Sequence, residues 1–296
     1  MDALDPSEPI RRVNTNECVA IDIGGTKVEI ARVTPAGEIT KRIRLETADA
    51  QGNLFNQIVV SLRALDVAPG TPIGVGCGGP MERGGTTVSP LNIPEWRNFP
   101  LLQALGDIAG SVVSIDNDAK ALALAEGRYG GAQASVNYVS MVVSTGIGGG
   151  IILDGHLLDG ALGNAGHIGH LIVEPGGRLC ACGVRGCLEA EASGTAIRAM
   201  TGGDPKFANE EMRRRTGVMV GRAVASVASL LDVTQFFVAG SVALGFGRPF
   251  FEAANETAES LVGLSFARAV SVQPSKLGAD GPILGAACVA WRSVGV

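Results

Sequence analysis

The chain states one structural pattern twice. Residues 18–45, CVAIDIGGTKVEIARVTPAGEITKRIRL, read as an apolar strand over Cys18–Ile23, a Gly24-Gly25-Thr26 turn and an alternating strand over Lys27–Val33. A second turn at TPAGE then leads to a returning strand over Ile39–Leu45. Residues 138–158, YVSMVVSTGIGGGIILDGHLL, give the same succession: apolar strand, glycine turn with Thr145, second strand, Asp-Gly turn, start of a third strand. A strand–glycine turn–strand unit in both halves of a 296-residue chain predicts two similar units facing each other. Other apolar runs, PIGVGCGGP, SVVSID and QFFVAGSVALG, read as further strands. Helical spacing appears in Asn53–Leu65, NFPLLQALGD, NDAKALALAEGRYG, EAEASGTAIRAM, RTGVMVGRAVASVASLLDV and PILGAACVAWRSV. Strands and helices mixed along the chain predict an α/β protein.

Composition narrows the function classes. With 46% hydrophobic and 18% charged residues, the chain can bury the core of two ordinary domains. A net charge of −5 argues against a general nucleic-acid binder, and no run approaches the ~20 apolar residues that span a bilayer. MDALDPSEPIRRVNTNE lacks the apolar centre of a secretory signal and reads as a short disordered lead to a cytoplasmic protein. Cysteines in that compartment are metal ligands or buried thiols before they are disulfides. Cys18, Cys77 and Cys288 stand alone in apolar or glycine-rich surroundings and read as small buried hydrophobes. The 42 glycines show no collagen period, so they point to tight turns or to backbone that approaches a ligand closely.

Neither glycine turn matches the P-loop or the dinucleotide fingerprint, because each joins strand to strand. A single one would be a plain hairpin. Two copies, each with backbone N–H groups and a Ser or Thr hydroxyl, suit a phosphate cradle: Gly24, Gly25 and Thr26 in the first, Ser144, Thr145, Gly146 and Gly148 in the second. Asp22 precedes the first turn and can hold Mg2+ through water; Lys27 can pair with a phosphate or lie solvated on its strand. Further on, HIGH at 167–170 and CACGVRGC at 180–187 concentrate two of the three histidines and three of the six cysteines. Cys180, Cys182 and Cys187, spaced C-x-C-x4-C, need one nearby histidine to complete a closed Cys3His zinc site. Four protein ligands leave no place for a reactive water, so such a zinc is structural.

In order along the chain, DIGGTK (22–27), NDA (117–119), STGIGGGI (144–151), GNAGHIGH (163–170) and CACGVRGCLE (180–189) resemble the successive signatures of the ROK proteins, which are sugar kinases and sugar-responsive repressors. The resemblance runs from about Cys18 to the C-terminal helix. It implies two actin-like, ribonuclease H-like α/β domains closing on a cleft, residues 16–117 with 282–296 forming one and 118–281, with the zinc loop, the other. ATP would lie between the glycine turns, with AGS at 239–241, and so Gly240, near the adenosine. Sugar hydroxyls would meet Gly79, Asn92, Asn117, Asp118, His170 and Glu189, and His170 would also be the fourth zinc ligand. Asp118 would take the proton of the attacking hydroxyl, usually O6. From its place before a helix it could instead be a cap, and both roles fit only if Asn117 or the backbone does the capping. Similar proteins are often dimers or tetramers.

One position departs from the pattern. Family kinases usually carry E-x-G-H where this chain has His167 in HIGH, as bacterial N-acetylmannosamine kinases do. A neutral imidazole accepts one hydrogen bond and donates one, whereas a carboxylate accepts only. His167 therefore points toward an N-acyl amino sugar over glucose. The family's repressors carry a DNA-binding module before the first glycine turn, and the roughly 21 residues before Asp22 are too few for one. The rival expectation to a kinase is a catalytically weak sugar sensor.

Overall fold

A computed structural model of the chain describes residues 14–47, 53–90 and 92–296. Most of the N-terminal lead, residues 1–13, lies outside them. The first repeat folds as an antiparallel meander of β1 (Cys18–Ile23), β2 (Lys27–Val33) and β3 (Ile39–Glu46). Helix α1 (Leu54–Ala64) then leads to β4 (Ile73–Cys77), and α2 (Leu101–Ala109) to β5 (Val113–Asn117); both strands join in parallel, giving the order β3-β2-β1-β4-β5. After α3 (Asp118–Tyr129) the plan repeats. Strands β6 (Tyr138–Val143), β7 (Ile147–Leu153) and β8 (His156–Leu157) are antiparallel, and β9 (Gln235–Ala239) and β10 (Ser271–Pro274) join in parallel as β10-β9-β6-β7-β8. The duplication legible in the glycine turns thus extends to all five strands of each sheet.

The second half carries α4 (Leu188–Ala192), α5 (Gly194–Thr201), α6 (Glu210–Leu231), α7 (Ser241–Phe246) and α8 (Arg248–Leu261), and the chain closes with α9 (Gly281–Ser293). The single helix expected over EAEASGTAIRAM is broken at Ser193, whose backbone is extended and whose hydroxyl accepts from the Ala196 amide, capping α5 afresh. Helices α7 and α8 and strand β10 were not anticipated. For α8 a signal was present: a proline in its first turn and a buried stripe of Phe250, Ala253, Ala254 and Ala258.

Helix α9 returns to the first sheet and packs on β1, β4 and β5, while α3 packs on α9 and on β6 and β7. The order is therefore sheet, α9, α3, sheet. Small residues permit that spacing. A Cβ on Gly74 of β4 would stand 2.0 Å from the Ala286 carbonyl oxygen, and one on Gly150 of β7 would stand 2.5 Å from the Ala123 Cβ. Many of the glycines expected at turns or against a ligand serve instead to bring helix and sheet together. Among the described residues no helix is long and apolar enough to cross a membrane.

Candidate active site

Both glycine turns open at the same end of this stack, onto one cavity of about 880 Å³ between the two halves. From the first half it is lined by Gly24, Gly25, Thr26, Gly79, Asn92, Asn117 and Asp118. From the second half come Ser144, Thr145, Gly146, Gly148, His167, His170 and Glu189. Three of the residues expected at the site do not border it. Lys27 places its ammonium 3.1 Å from the fully buried Glu29, which binds Arg44 as well, so the lysine's charge is already committed. Asp22 lies behind the first turn, 7% exposed, and Gly240 packs against the Val143 backbone. Behind Ser144, the hydroxyls of Ser144 and Ser241 stand 3.0 Å apart.

Each turn is braced by neighbouring segments. In the first, the Gly24 amide donates to the Lys27 carbonyl, and Thr47 ties the turn at both ends through the Gly24 and Thr26 carbonyls. Asn92 presses so close that a Cβ on Gly25 would stand 2.5 Å from the Asn92 Cβ. In the second, the start of α5 captures the outward carbonyls: the Gly194 amide donates to Ser144 and the Thr195 amide to Thr145. The Glu189 carboxylate accepts from the Ile147 amide at 2.9 Å. The turn residues that line the cavity supply the hydroxyls of Thr26, Ser144 and Thr145 and glycine backbone, the chemistry of anion binding.

The capping question is answered by Asn117. Its side-chain oxygen accepts from the amides of Ala119 and Lys120 at 3.0 and 3.4 Å, so Asn117 is the N-cap of α3. Asp118 accepts from the Ala119 amide with one oxygen at 2.8 Å, and its carboxylate faces the cavity floor. There it stays reachable from the cavity while the walls strip away bulk water, which raises its pKa above the ordinary carboxylate range against the opposing pull of backbone hydrogen bonds and of His167. Asp22 is pushed up to about 7, first by burial and then by the charges of Asp118 and Glu29. Two nearby carboxylates, one at the cavity floor and one behind the first turn, leave an excess of negative charge that a cation would neutralise. His167 is pulled below its usual pKa, by burial and then by His170, and is neutral at neutral pH.

Behind His170 and Glu189 lies the cysteine cluster. The ligand atoms of His170, Cys180, Cys182 and Cys187 all fall within 4.8 Å of one another. Cys180 Sγ is 3.7 Å from His170 Nδ1, and Cys182 Sγ is 3.6 Å from Cys187 Sγ. Ligands at zinc's bond lengths on a tetrahedron have edges of roughly 3.6–3.8 Å, so the set fits the ion. The turns between the ligands require their glycines: Gly183 has φ +90°, and Gly186, φ +82°, would carry a Cβ 1.9 Å from the Glu174 carbonyl oxygen. The third histidine, His156, is exposed and bonds to the Asp154 carbonyl, apart from the cluster.

The sequence profile of the ROK family matches residues 18–293. A glucokinase of Thermotoga maritima is 30% identical, the alignment covering 94% of this chain and 98% of that one. An N-acetylmannosamine kinase of Pasteurella multocida is 35% identical over 78% of this chain and 83% of its own. Among solved structures, a ROK family glucokinase of Streptomyces griseus in complex with glucose and AMPPNP superposes with a TM-score of 0.78 at 27% identity, covering 93% of this chain and 99% of that one. The two-unit architecture around a cleft is thus the actin-like one.

The Asp22 carboxyl yields a test of the site's electrostatics. It titrates at about 7 in the folded chain and near ~3.9 when unfolded. As pH rises through that interval the unfolded chain releases the proton first, so stability is full below about pH 4, falls toward about pH 7, and then levels off. Without nucleotide or divalent cation, Asp22→Asn is expected to remove this fall and to exceed wild type at pH ~8 by roughly 2–4 kcal/mol, with little difference at pH ~4. Urea unfolding across that range measures it; parallel curves for the two proteins would show that Asp22 is not held protonated.

Proposed function

The chain belongs to the ROK family, and we propose that it is an ATP-dependent sugar kinase that phosphorylates the 6-hydroxyl of a hexose or N-acetylhexosamine. The observation that carries this is the single cavity in which Asp118 faces both glycine turns. In this reading the attacking hydroxyl forms a bond to the γ-phosphorus, the bond from that phosphorus to the β-bridging oxygen breaks, and ADP leaves. The hydroxyl proton passes to Asp118, whose raised pKa brings it closer to the operating pH of a general base. Thr26 and the Ser144–Gly148 turn hold the phosphates; Asn92, Asn117, His167, His170 and Glu189 orient the sugar. Mg2+ would supply charge neutralisation at the phosphates, with Asp22 holding it through water. Return of α9 to the first sheet supports a division into 16–117 with 282–296 and 118–281, the two parts closing on the substrates.

Zinc, held by His170, Cys180, Cys182 and Cys187, would pin the loop that leads to Glu189 and fix His170 through Nδ1, leaving its other nitrogen for the sugar. His167 favours an N-acetylhexosamine, N-acetylmannosamine first, with glucose as the alternative: a neutral ring both donates and accepts, and it brings no buried charge against an acetamido group.

A coupled assay with ATP and a panel of hexoses and N-acetylhexosamines tests the central claim. Saturable sugar binding without turnover on any of them would make the protein a sensor. Asp118→Asn keeps the size but cannot take a proton, and kcat is expected to fall at least ~10²-fold with sugar affinity little changed. Purified protein should hold about one zinc per chain, and Cys182→Ala should lose the metal together with sugar binding. Wild type should have its highest kcat/KM on N-acetylmannosamine, and His167→Glu should shift the ratio toward glucose by about tenfold or more, the scale of one mispaired polar contact. A wild type that already prefers glucose would remove His167 as the selectivity element.

A further inference from the structure

Lys120 lies two residues beyond Asp118 and is 2% exposed. Its ammonium is 2.9 Å from Asp116 Oδ1 and 2.8 Å from Asp159 Oδ1, and it donates to the Gly163 carbonyl at 3.1 Å. The other oxygens of the same two carboxylates face Arg292, at 3.6 Å for Asp116 and 3.2 Å for Asp159. Two cations and two anions thus form a closed ring in which every charge has two opposite neighbours. Burial works against the charge on Asp159, yet Lys120 and then Arg292 hold its pKa below the ordinary range.

The ring joins the two halves. Asp116 is the penultimate residue of β5 and Arg292 lies in the last turn of α9, both against the first sheet; Asp159 and Gly163 belong to the loop that follows β8 of the second. That loop runs to His167 and closes on itself where the Ala165 amide donates to the Asp159 carbonyl at 3.0 Å. It has little apolar backing: Leu162 is 74% exposed. Lys120 and Gly163 border the active-site cavity on one side and, on the other, a second cavity of about 310 Å³ that Arg83 and Arg292 also line. The loop is therefore a thin wall between two spaces, and ion pairs hold it where packing does not.

We propose that the ring of Lys120, Asp116, Asp159 and Arg292 is a clamp that fixes the 159–167 loop across the two halves, making Asp159 and Arg292 positioning residues for the sugar. The proposal rests on the reading of the main cavity as a sugar site. It is specific to one substrate, because the phosphate-side turns are held elsewhere, by Thr47, α5 and Glu189.

The test uses the full-length protein with its preferred sugar and ATP, reading both KM values, kcat, the sugar Kd by calorimetry and the thermal midpoint. Asp159→Asn is expected to raise sugar KM and Kd about tenfold, with ATP KM within about twofold. Arg292→Leu, a change at a half-exposed position, should act in the same direction more weakly, and Arg292→Lys should restore most of the loss. Because both residues serve one ring, the double variant should lose less than the product of the single effects. Sugar constants unchanged within about twofold overturn the clamp, as does an equal rise in the sugar and ATP constants with a lowered midpoint, which marks general damage. If wild type binds sugar without turnover, the kinase reading fails while the Kd comparison still decides the clamp. If wild type binds no sugar, both fall.

Discussion

The close approach of α3 to α9 and to the second sheet is the contact on which the remaining geometry depends. Gly285 of α9 abuts the backbone at Ala121, and Gly148 and Gly150 of β7 meet Ala119 and Ala123 on the opposite side of the same helix. Larger side chains at these places would push the sheets apart by more than the core could refill. With small ones, two sheets of identical strand order stand on either side of a pair of helices, and their first hairpin turns open toward a common space. The N-terminus of α3 is delivered to the floor of that space, which is why Asn117 and Asp118 meet residues from both halves. The cleft is thus a consequence of packing between glycine and alanine, several turns away from any polar chemistry.

What was legible in the sequence was whatever leaves a local trace. The repeated strand–turn–strand pattern gave the architecture, since period-two alternation and paired glycines are local signals. The cysteine spacing pointed to the convergent cysteine and histidine set, and the order of the motifs to most of the residues that line the cleft. The commitment of Lys27 to Glu29 was hidden because Glu29 is fully buried and shared with arginines on the neighbouring strand, a cross-strand arrangement that no spacing within one strand reveals. The placement of Asp22 behind the turn, out of the cavity, was equally beyond reach of motif order. Helix α7 is only six residues long and follows a glycine cap, and β10 is four residues with two exposed, so neither offers a periodic window long enough to read. The ring through Lys120 joins residues over 170 positions of sequence and became visible only once the sheets were stacked.

Charge is distributed in the cleft with a consistent logic. Asp118 at its floor and Asp22 behind the first turn carry raised pKa values chiefly because burial strips them of water. Lys27, Arg42 and Arg44 are spent on Glu29, and Lys120 on its two aspartates. In the proposed kinase reading the cavity would therefore meet an anionic nucleotide with backbone amides and hydroxyls in place of lysines, and a divalent cation would be drawn toward Asp118 and, behind the first turn, Asp22. A fixed set of neutral dipoles needs no reorganisation as charge moves between oxygens during phosphoryl transfer.

Glu189 shows how the two ends of the cleft are kept in register. One of its oxygens accepts from the Ile147 amide, at the base of the second glycine turn, while the residue also borders the region of His167 and His170. It stands in the first turn of α4, directly after Cys187 and Leu188, and the Leu188 amide is itself tied to the Leu171 carbonyl. His170 reaches the same cluster from the other strand of that pairing, through Nδ1. A displacement of the cysteine loop would therefore move Glu189, and with it both the turn proposed to hold phosphate and the wall proposed to hold sugar. A loop with almost no regular structure of its own can hold such a position only through cross-links, and the four convergent ligand atoms behind it are the strongest that its residues provide.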